Sequence, residues 1–177
     1  MHLQMTSGDI RDAAFIDEHG HALYRTSTPH HFFDTGTTSI TKALPPNKKH
    51  GSATTEIAQI EWEWFRQAEF HINGQTIDAK DFMQSSGILF SKDYTFSAPD
   101  GRSYRWSTHL SSCRLEAFDG STIAEGSGGS SGLLGTMTEG FLDISPGGYH
   151  ILDAIIITFA FVEGDKQRKK RAARRAA

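Results

Sequence analysis

Apolar and polar residues alternate along most of this chain in segments of strand length. The segment AQIEWEW places Ala58, Ile60 and Trp62 on one face and Gln59 and Glu61 on the other, which is the period of two of a β-strand. The same spacing recurs at further positions that are predicted to point inward: Tyr94, Phe96, Tyr104, Trp106, Cys113, Leu115 and Ala117. The pattern predicts a mainly β protein with about ten antiparallel strands between residues 13 and 144, each with one buried and one solvated face.

Glycine-containing dipeptides separate these strands. Asn73-Gly74, Asp100-Gly101 and Asp119-Gly120 each stand between two alternating segments. Such pairs supply the positive φ angles of tight hairpin turns, so three hairpins are predicted. A looser hairpin is predicted at residues 17–20, and residues 79–84 are expected to form a single turn of helix.

The segment Ile151–Val162, with the sequence ILDAIIITFAFV, is apolar on nearly every face. Helix of this length spans roughly 18 Å, short of the roughly 30 Å of a bilayer core, so a buried helix over 151–163 is predicted. A helix that is apolar all round needs apolar neighbours on every side. We therefore expect a closed antiparallel β-barrel around it, in which Trp62, Trp106 and Ile156 are structural core residues.

These elements predict one domain with an unstructured segment at each end. Residues 13–164 are expected to form the barrel and its central helix, residues 1–12 a flexible N-terminus, and residues 165–177 a disordered tail. Asp153 is the one charged residue of the apolar segment. It is expected to cap the start of the helix, where a carboxylate accepts from free backbone N–H groups.

Charge is distributed unevenly between the body and the tail. The formal net charge of the chain is −3, but residues 166–177 carry seven basic residues and no acid. The remaining 11 basic and 21 acidic side chains give residues 1–165 a formal charge of −10. An acidic body argues against nucleic acid as a partner, and a polybasic segment can contact anionic lipid or act as a nuclear targeting signal. The predicted lipid- or anion-binding residues are Lys166, Arg168, Lys169, Lys170, Arg171, Arg174 and Arg175.

The cysteine count and the first residues indicate an intracellular protein. Cys113 is the only cysteine, so no disulfide within the chain is possible. The N-terminal segment MHLQMTSGDIRD lacks the apolar stretch of a signal peptide. A cytoplasmic location is predicted, with the basic tail able to place the protein at a membrane or in the nucleus.

Two patterns resemble hydrolase sites. Residues 128–132 fit Gly-x-Ser-x-Gly, but their flanks are more glycine and serine, whereas a nucleophile elbow needs a buried strand and a helix. A flexible loop is therefore predicted there. Glu61 and Glu63 share one strand face, with carboxylates roughly 6–7 Å apart, which is within glycosidase geometry. A solvated outer face is favoured, and hydrolysis of glycans is the alternative.

Histidine and cysteine residues are the remaining candidates for chemistry. His19 and His21, together with His30, His31 and the following Asp34, could supply metal ligands. Nothing in their spacing requires a metal, so no metal and no cofactor are predicted. Cys113 alternates with inward residues, so it is expected to be a small buried side chain rather than a nucleophile.

Taken in order, several segments resemble a fungal domain family of unknown function that is related at fold level to tubby-like and LURP-one-like barrels. The segments are FIDEHGHALYRTSTP (15–29), TTSITKA (37–43), IAQIEW (57–62), FSAPDGRSYRW (96–106), IAEG (123–126) and ILDAIIITFAFVE (151–163). The resemblance implies a closed barrel threaded by a hydrophobic C-terminal helix. Tubby-type barrels bind phosphoinositides, and the relatives of LURP-one include proteins called scramblases. No basic lipid-binding motif in the strands allows those sites to be transferred residue by residue.

The sequence thus favours a non-enzymatic intracellular binding module. Its expected ligand is a phosphoinositide or other anionic lipid, met through the C-terminal tail, or a small apolar ligand. The first alternative is a hydrolase that acts on glycans through Glu61 and Glu63. The second is a module that acts only through contacts with a protein partner, whose identity the sequence does not indicate.

Overall fold

The computed structural model describes residues 1–29, 35–45, 53–63, 68–88, 91–131 and 137–176. Within them the chain forms short strands followed by a long C-terminal helix. The strands are β1 (His2–Met5), β2 (Ala14–Ile16), β3 (Ala22–Ser27), β4 (Gly36–Ala43), β5 (Thr54–Trp62), β6 (Glu69–Ile72), β7 (Gln75–Asp78), β8 (Gln84–Ile88), β9 (Ser91–Ser97), β10 (Ser103–Thr108), β11 (Cys113–Ala117), β12 (Thr122–Ser127), β13 (Ser130–Ser131), β14 (Met137–Thr138) and β15 (Phe141–Ile144). The helices are α1 (Ala79–Phe82), a 3-10 helix (Pro146–Ile151) and α2 (Leu152–Ala176).

Thirteen strands form one antiparallel sheet in the order β7-β6-β5-β4-β3-β2-β1-β15-β12-β11-β10-β9-β8, and β13 pairs with β14 in a small second sheet. The mainly β, antiparallel architecture predicted from the alternation is confirmed. The edge strands β7 and β8 are joined through α1 and have no ladder between them in the described residues. Hydrogen bonding therefore does not close the sheet, and a closed barrel is not established.

The first residues of the chain form a central strand. β1 pairs with β2 on one side and with β15 on the other, where His2 lies opposite Asp143. Leu3 and Met5 are fully buried, so the alternation continues to the N-terminus. The prediction of a flexible segment over residues 1–12 was wrong, because two inward apolar residues suffice for a strand that has a neighbour on both sides.

The predicted turns join consecutive strands. Asn73 and Gly74 both have positive φ angles, 52° and 75°, between β6 and β7. At the turns after β9 and β11, only the glycines Gly101 and Gly120 have positive φ. Those two connections are longer than the Asn73-Gly74 turn, which is of the type that needs both central residues in that region. The turn at residues 17–20, which joins β2 and β3, and the single helical turn α1 are also as predicted.

Asp100 holds the turn between β9 and β10. Its carboxylate accepts from the backbone N–H of Arg102 at 3.0 Å and from the Tyr104 hydroxyl at 2.8 Å, and it lies 2.9 Å from His150 Nε2. Desolvation raises the pKa of Asp100, but these hydrogen bonds outweigh it and lower the pKa from 3.8 to about 2. The charged form is therefore the one that the folded protein stabilises.

We expect this turn to give an acid-sensitive contribution to stability. A carboxyl whose pKa is lower in the folded state stabilises the fold above its unfolded pKa and loses that effect as the pH falls through the folded value. The advantage of wild type over Asp100→Asn should therefore shrink as the pH falls from about 4 to about 2. Urea denaturation of both proteins across this range measures it, and a constant difference would contradict the assignment.

The helix α2 passes through the interior of the sheet. Every residue from Ile155 to Val162 is buried, and side chains from several strands contact it. Trp106 Nε1 donates to Thr158 Oγ1 at 2.9 Å, and the ring of Trp62 stacks on Phe161 with centroids 5.7 Å apart. The predicted buried helix is confirmed, and both predicted core tryptophans contact it.

The helix does not end near residue 163, as the sequence analysis predicted, but continues to Ala176. The prediction of a disordered tail over residues 165–177 was wrong for all but Ala177, which lies outside the described residues. Lys, Arg, Gln and Ala are good helix formers, and the tail contains no other residue type after Asp165. With this extension, residues 146–176 are long and apolar enough to cross a membrane by length and composition. However, 67% of the 18-residue apolar stretch within them is buried inside the protein.

Asp153 lies in the first turn of α2 and contacts the sheet. Its Oδ1 accepts from the Tyr24 hydroxyl at 2.5 Å and from Lys42 Nζ at 2.8 Å. Desolvation and this carboxylate both raise the pKa of Tyr24, which stays protonated as the donor. α2 begins at Leu152, within one residue of the predicted start at residue 151. The predicted cap is not confirmed, because the hydrogen bonds of Asp153 in the described structure go to side chains rather than to free backbone N–H groups.

Candidate functional site

The basic residues between positions 166 and 175, which were predicted to form a tail, lie on two faces of α2. Lys166, Lys170 and Arg174 follow one another at intervals of four residues, so they share one face, with Arg171 beside them. Arg168 and Lys169 point to the other side of the helix, where they line a separate cleft. Arg175 is exposed in the last turn and lines neither cavity. Helix geometry therefore divides a continuous charge run into two groups.

The larger cavity, called here the basic cavity, lies at the C-terminal end of the core helix. Its volume is about 450 Å³. The segment before β2, the β10–β11 turn and the chain after β12 complete its walls. Its lining residues are Ser7, Gly8, Asp9, Leu110, Ser111, Ser127, Gly129, Glu163, Lys166, Gln167, Lys170, Arg171 and Arg174.

Cations outnumber anions in the basic cavity. Lys166 forms a buried ion pair with Glu163, and Arg171 Nη1 lies 3.4 Å from Asp9 Oδ2. Among the described residues, the hydrogen bond of Lys170 goes to a neutral group, the carbonyl oxygen of Leu110, at 2.7 Å. With Arg174 exposed beside it, the lining contains four basic and two acidic side chains. The cavity therefore has an excess of positive charge.

The pKa of Lys170 reflects this excess. Desolvation lowers the pKa of its ammonium group, and the positive charges of Lys166 and Arg174 lower it further, while Glu163 acts in the opposite sense. A lysine whose charged form is disfavoured by its neighbours gains most from a bound anion. The local electrostatics thus favour an anionic ligand over a cationic or neutral one.

An exposed leucine stands beside the basic side chains. Leu110 lies in the β10–β11 turn and is 66% exposed, although it is a large apolar residue. The carbonyl that accepts from Lys170 is its own. An apolar side chain that projects from a basic surface is a combination suited to the boundary between lipid headgroups and acyl chains. This pairing of Leu110 with Lys170 was not predictable from the sequence, because the two residues become neighbours only in the fold.

The second cleft contains Arg168 and Lys169. Arg168 Nη2 donates to the carbonyl oxygen of Glu63 at 2.7 Å, and its guanidinium lies 5.2 Å from the Trp62 ring centroid. Lys169 Nζ lies 2.5 Å from Asp165 Oδ2. The same carboxylate accepts from the Tyr94 hydroxyl and, after desolvation, is the main reason that the pKa of Tyr94 is raised. The contacts of Arg168 and the Tyr94–Asp165 hydrogen bond fasten the helix to the sheet, and Lys169 pairs with Asp165 within the helix. Both basic residues therefore have structural partners.

Cys113 is a buried residue, as predicted. Its side chain is fully buried, and desolvation, followed by the nearby Glu163 carboxylate, raises the pKa of its thiol well above the usual value. The thiolate is the nucleophilic form of cysteine. A thiol held protonated and shielded from solvent is a packing group, which agrees with the prediction.

The glutamates of the hydrolase alternative lie on the outer side of the sheet. Glu61 is in β5, and Glu63 follows the end of that strand. Neither residue lines any of the five cavities found among the described residues. Glu61 lies instead beside His71 and Glu69 of β6, a grouping that sequence reasoning missed.

The remaining sequence candidates are only partly described. His19 and His21 are exposed in the β2–β3 turn, where Asp17 accepts from both of their backbone N–H groups. His30, His31 and Asp34 lie outside the described residues, as does Gly132. In the Gly-x-Ser-x-Gly segment, Ser130 and Ser131 form β13, which pairs with β14. Ser130, the serine of that pattern, therefore lies in a paired strand and not at the strand-to-helix turn of a nucleophile elbow.

Fold and site define a β-rich domain in which a large antiparallel sheet packs around an apolar C-terminal helix and carries a basic cavity at the end of that helix. The model of a family described as a family of unknown function (DUF6593) matches residues 8–169. The chain belongs to the DUF6593 family. No curated protein and no solved structure matches it.

Proposed function

We propose that this protein is a non-enzymatic module that binds the phosphorylated headgroups of anionic membrane lipids, phosphoinositides above all. The observation that carries the proposal is the basic cavity, where Lys166, Lys170, Arg171 and Arg174 converge. Phosphate oxygens are strong acceptors for Lys and Arg donors, and Arg binds them with two parallel hydrogen bonds. In this proposal the protein is cytoplasmic and peripheral to the membrane.

The surroundings of the cavity favour a lipid surface over a free phosphate. Leu110 offers an apolar contact at the cavity, and Arg174 and Arg175 extend the positive charge beyond it on the exposed end of α2. Each Lys or Arg near an anionic leaflet contributes about 1 kcal/mol. The resemblance to tubby-like barrels points in the same direction, and we propose that the sheet, with α1 across its open edge, is a barrel of that kind.

The other candidate functions have less support. A small apolar ligand inside the sheet would need the volume that α2 fills, since residues 155–162 are buried there. A glycan hydrolase would need its carboxylates beside a substrate cleft, and Glu61 and Glu63 line none of the cavities described above. A purely protein-binding module stays an alternative that the lipid experiment tests.

Liposome sedimentation tests the proposal. Wild type is expected to bind vesicles that contain phosphatidylinositol bisphosphate, more weakly those with phosphatidylserine, and not those of phosphatidylcholine alone. The Lys170→Gln, Arg174→Gln double variant should bind about thirtyfold more weakly, because two basic contacts at about 1 kcal/mol each are lost. Leu110→Ser should also weaken binding, but without reducing its salt dependence, because the lost contact is apolar.

The control is an Arg105→Gln, Arg114→Gln double variant, which removes the same charge from the outer faces of β10 and β11. Both arginines form exposed ion pairs, with Glu116 and Glu125, and such pairs contribute little to stability. This variant should bind almost as well as wild type. Equal binding by both double variants, or no binding by wild type at low salt, would refute the proposal.

A further inference from the structure

A second possible site lies on the outer face of the sheet, away from the basic cavity. Glu61 of β5 and Glu69 and His71 of β6 each offer a ligand atom, and these atoms all lie within 4.8 Å of one another. All three side chains are half-buried. Among the described residues, this is the one group of three or more His, Cys, Asp or Glu side chains close enough to hold a metal ion. We propose that Glu61, Glu69 and His71 bind a divalent metal ion of the zinc class.

The strand register places like charges directly opposite one another. Glu61 is paired with Glu69 across β5 and β6, and Glu69 is paired with Asp78 across β6 and β7. Like charges in directly opposed positions destabilise a sheet. Lys80 Nζ lies 3.1 Å from Asp78 Oδ2 and compensates that end of the row. Glu69 has no ion-pair partner among the residues that the structure describes, so a cation at the centre of the row would relieve the repulsion.

His71 is oriented as a metal-binding histidine is. Its Nδ1 lies 2.9 Å from Thr76 Oγ1, which leaves Nε2 directed at Glu61 Oε2 at 3.1 Å. Metal-ligating histidines almost always hydrogen-bond through the second ring nitrogen, which fixes the ring. Two ligand atoms at about 2.0–2.2 Å from a tetrahedral zinc ion are roughly 3.3–3.5 Å apart. The 3.1 Å between His71 Nε2 and Glu61 Oε2 is close to that value, and all the ligand atoms of the group lie within 4.8 Å of one another.

The ligand chemistry determines the class of ion. One imidazole nitrogen with two carboxylates suits zinc and its neighbours better than calcium or magnesium, which prefer oxygen ligands only. Three protein ligands leave a fourth position for water. The spacing of residues along the sequence does not indicate this metal site, because Glu61, Glu69 and His71 become neighbours only through the pairing of β5 with β6.

Isothermal titration with zinc chloride in a non-chelating buffer tests the proposal, after each protein has been shown to fold in EDTA. Wild type is expected to bind one zinc ion at this site. His71→Ala and Glu69→Gln should each weaken binding by more than about tenfold, since even the loss of an outer-shell partner costs about that much. The matched control is His21→Ala, because His21 Nδ1 lies 3.3 Å from one carboxylate, that of Asp17, in an exposed turn. It should bind zinc as wild type does.

Thermal unfolding gives a second test, because Glu69→Gln should have opposite effects on relative stability without zinc and with zinc. Without metal, Glu69→Gln should melt at or above the temperature of wild type, because it removes a like-charge pair. With excess zinc, wild type should gain stability and the variant should not, since a ligand that binds only the folded state stabilises it. The proposal is overturned if wild type does not bind zinc. Zinc binding that survives His71→Ala, or that disappears in a His30→Ala, His31→Ala variant, would overturn it as well.

Discussion

An Ile156→Asp protein is expected to be unfolded, or to melt far below wild type. Ile156 is fully buried in the middle of the core helix, and the residues on both sides of it are buried as well. The new carboxylate would have no solvated direction in which to point. Burying an unpaired charge costs several kcal/mol at least, whereas the whole stability of a domain is about 5–15 kcal/mol. Circular dichroism with thermal and urea unfolding measures the loss.

Two control variants separate burial from helix disruption. Ala172→Asp introduces the same residue into the exposed part of α2 and should leave the melting temperature nearly unchanged. Ile156→Val removes one buried methylene group and should cost about 0.5–1.5 kcal/mol. If Ile156→Asp and Ala172→Asp had the same melting temperature, the helix would not be enclosed by the sheet in solution.

Trp62→Ala should cause the second large loss, about 3–5 kcal/mol, as is usual when a buried tryptophan is truncated. Trp62 is 2% exposed, and its Nε1 donates to Thr38 Oγ1 at 2.8 Å. The ring stacks on Phe161, with an interplanar angle of 3°. Truncation would open a cavity between β5 and α2 and remove this hydrogen bond. Urea denaturation gives the change in the free energy of unfolding.

Gly164 provides the control for the position of this ring. A Cβ at Gly164 would lie 2.7 Å from Trp62 Cη2 and 2.8 Å from Cζ2, so the glycine lets the helix approach the tryptophan. Gly164→Ala should therefore destabilise wild type, by about 1–3 kcal/mol of overpacking. In the Trp62→Ala background the same change should be neutral or stabilising, because alanine is the better helix former. Additive effects in this double-mutant cycle would contradict the contact.

Local patterns were sufficient to predict the strands and the core helix. Ala58, Ile60 and Trp62 are buried, as their period of two requires, and Asn73-Gly74 forms its turn because few other residue pairs tolerate two positive φ angles. The helix was predictable because its apolar residues occupy every face. In each case the signal lies within a dozen residues, where steric and hydrophobic preferences act directly.

The ends of the domain were predicted poorly because tertiary contacts decide their structure. β1 offers a short apolar alternation, and its stability comes from pairing with β2 and β15. The last turns of α2 were mistaken for a disordered charge run, although Gln167 Nε2 donates to the carbonyl oxygen of Gly8 at 2.9 Å. Helix propensity favoured the observed structure, but the density of positive charge suggested the opposite.

The two candidate sites differ in how far the sequence could indicate them. The basic residues of the cavity were identified as a group, but Asp9 and Leu110, which shape it, come from distant parts of the chain. Glu61 was considered with Glu63, its neighbour in sequence, whereas its neighbours across the strand pair are Glu69 and His71. Strand register cannot be obtained from a single strand, so that group was not predictable.

The pairing of β1 with β15 also has a consequence for the order of folding. Strands from the two ends of the domain, His2 opposite Asp143, must meet before the sheet is continuous, and closing so long a loop makes folding slow. The residues that fill the interior come later still, in α2. During synthesis the strands therefore emerge with their apolar faces uncovered, and this is the condition in which nascent chains aggregate or recruit chaperones. We infer that the domain folds as one late cooperative unit rather than strand by strand as it is made.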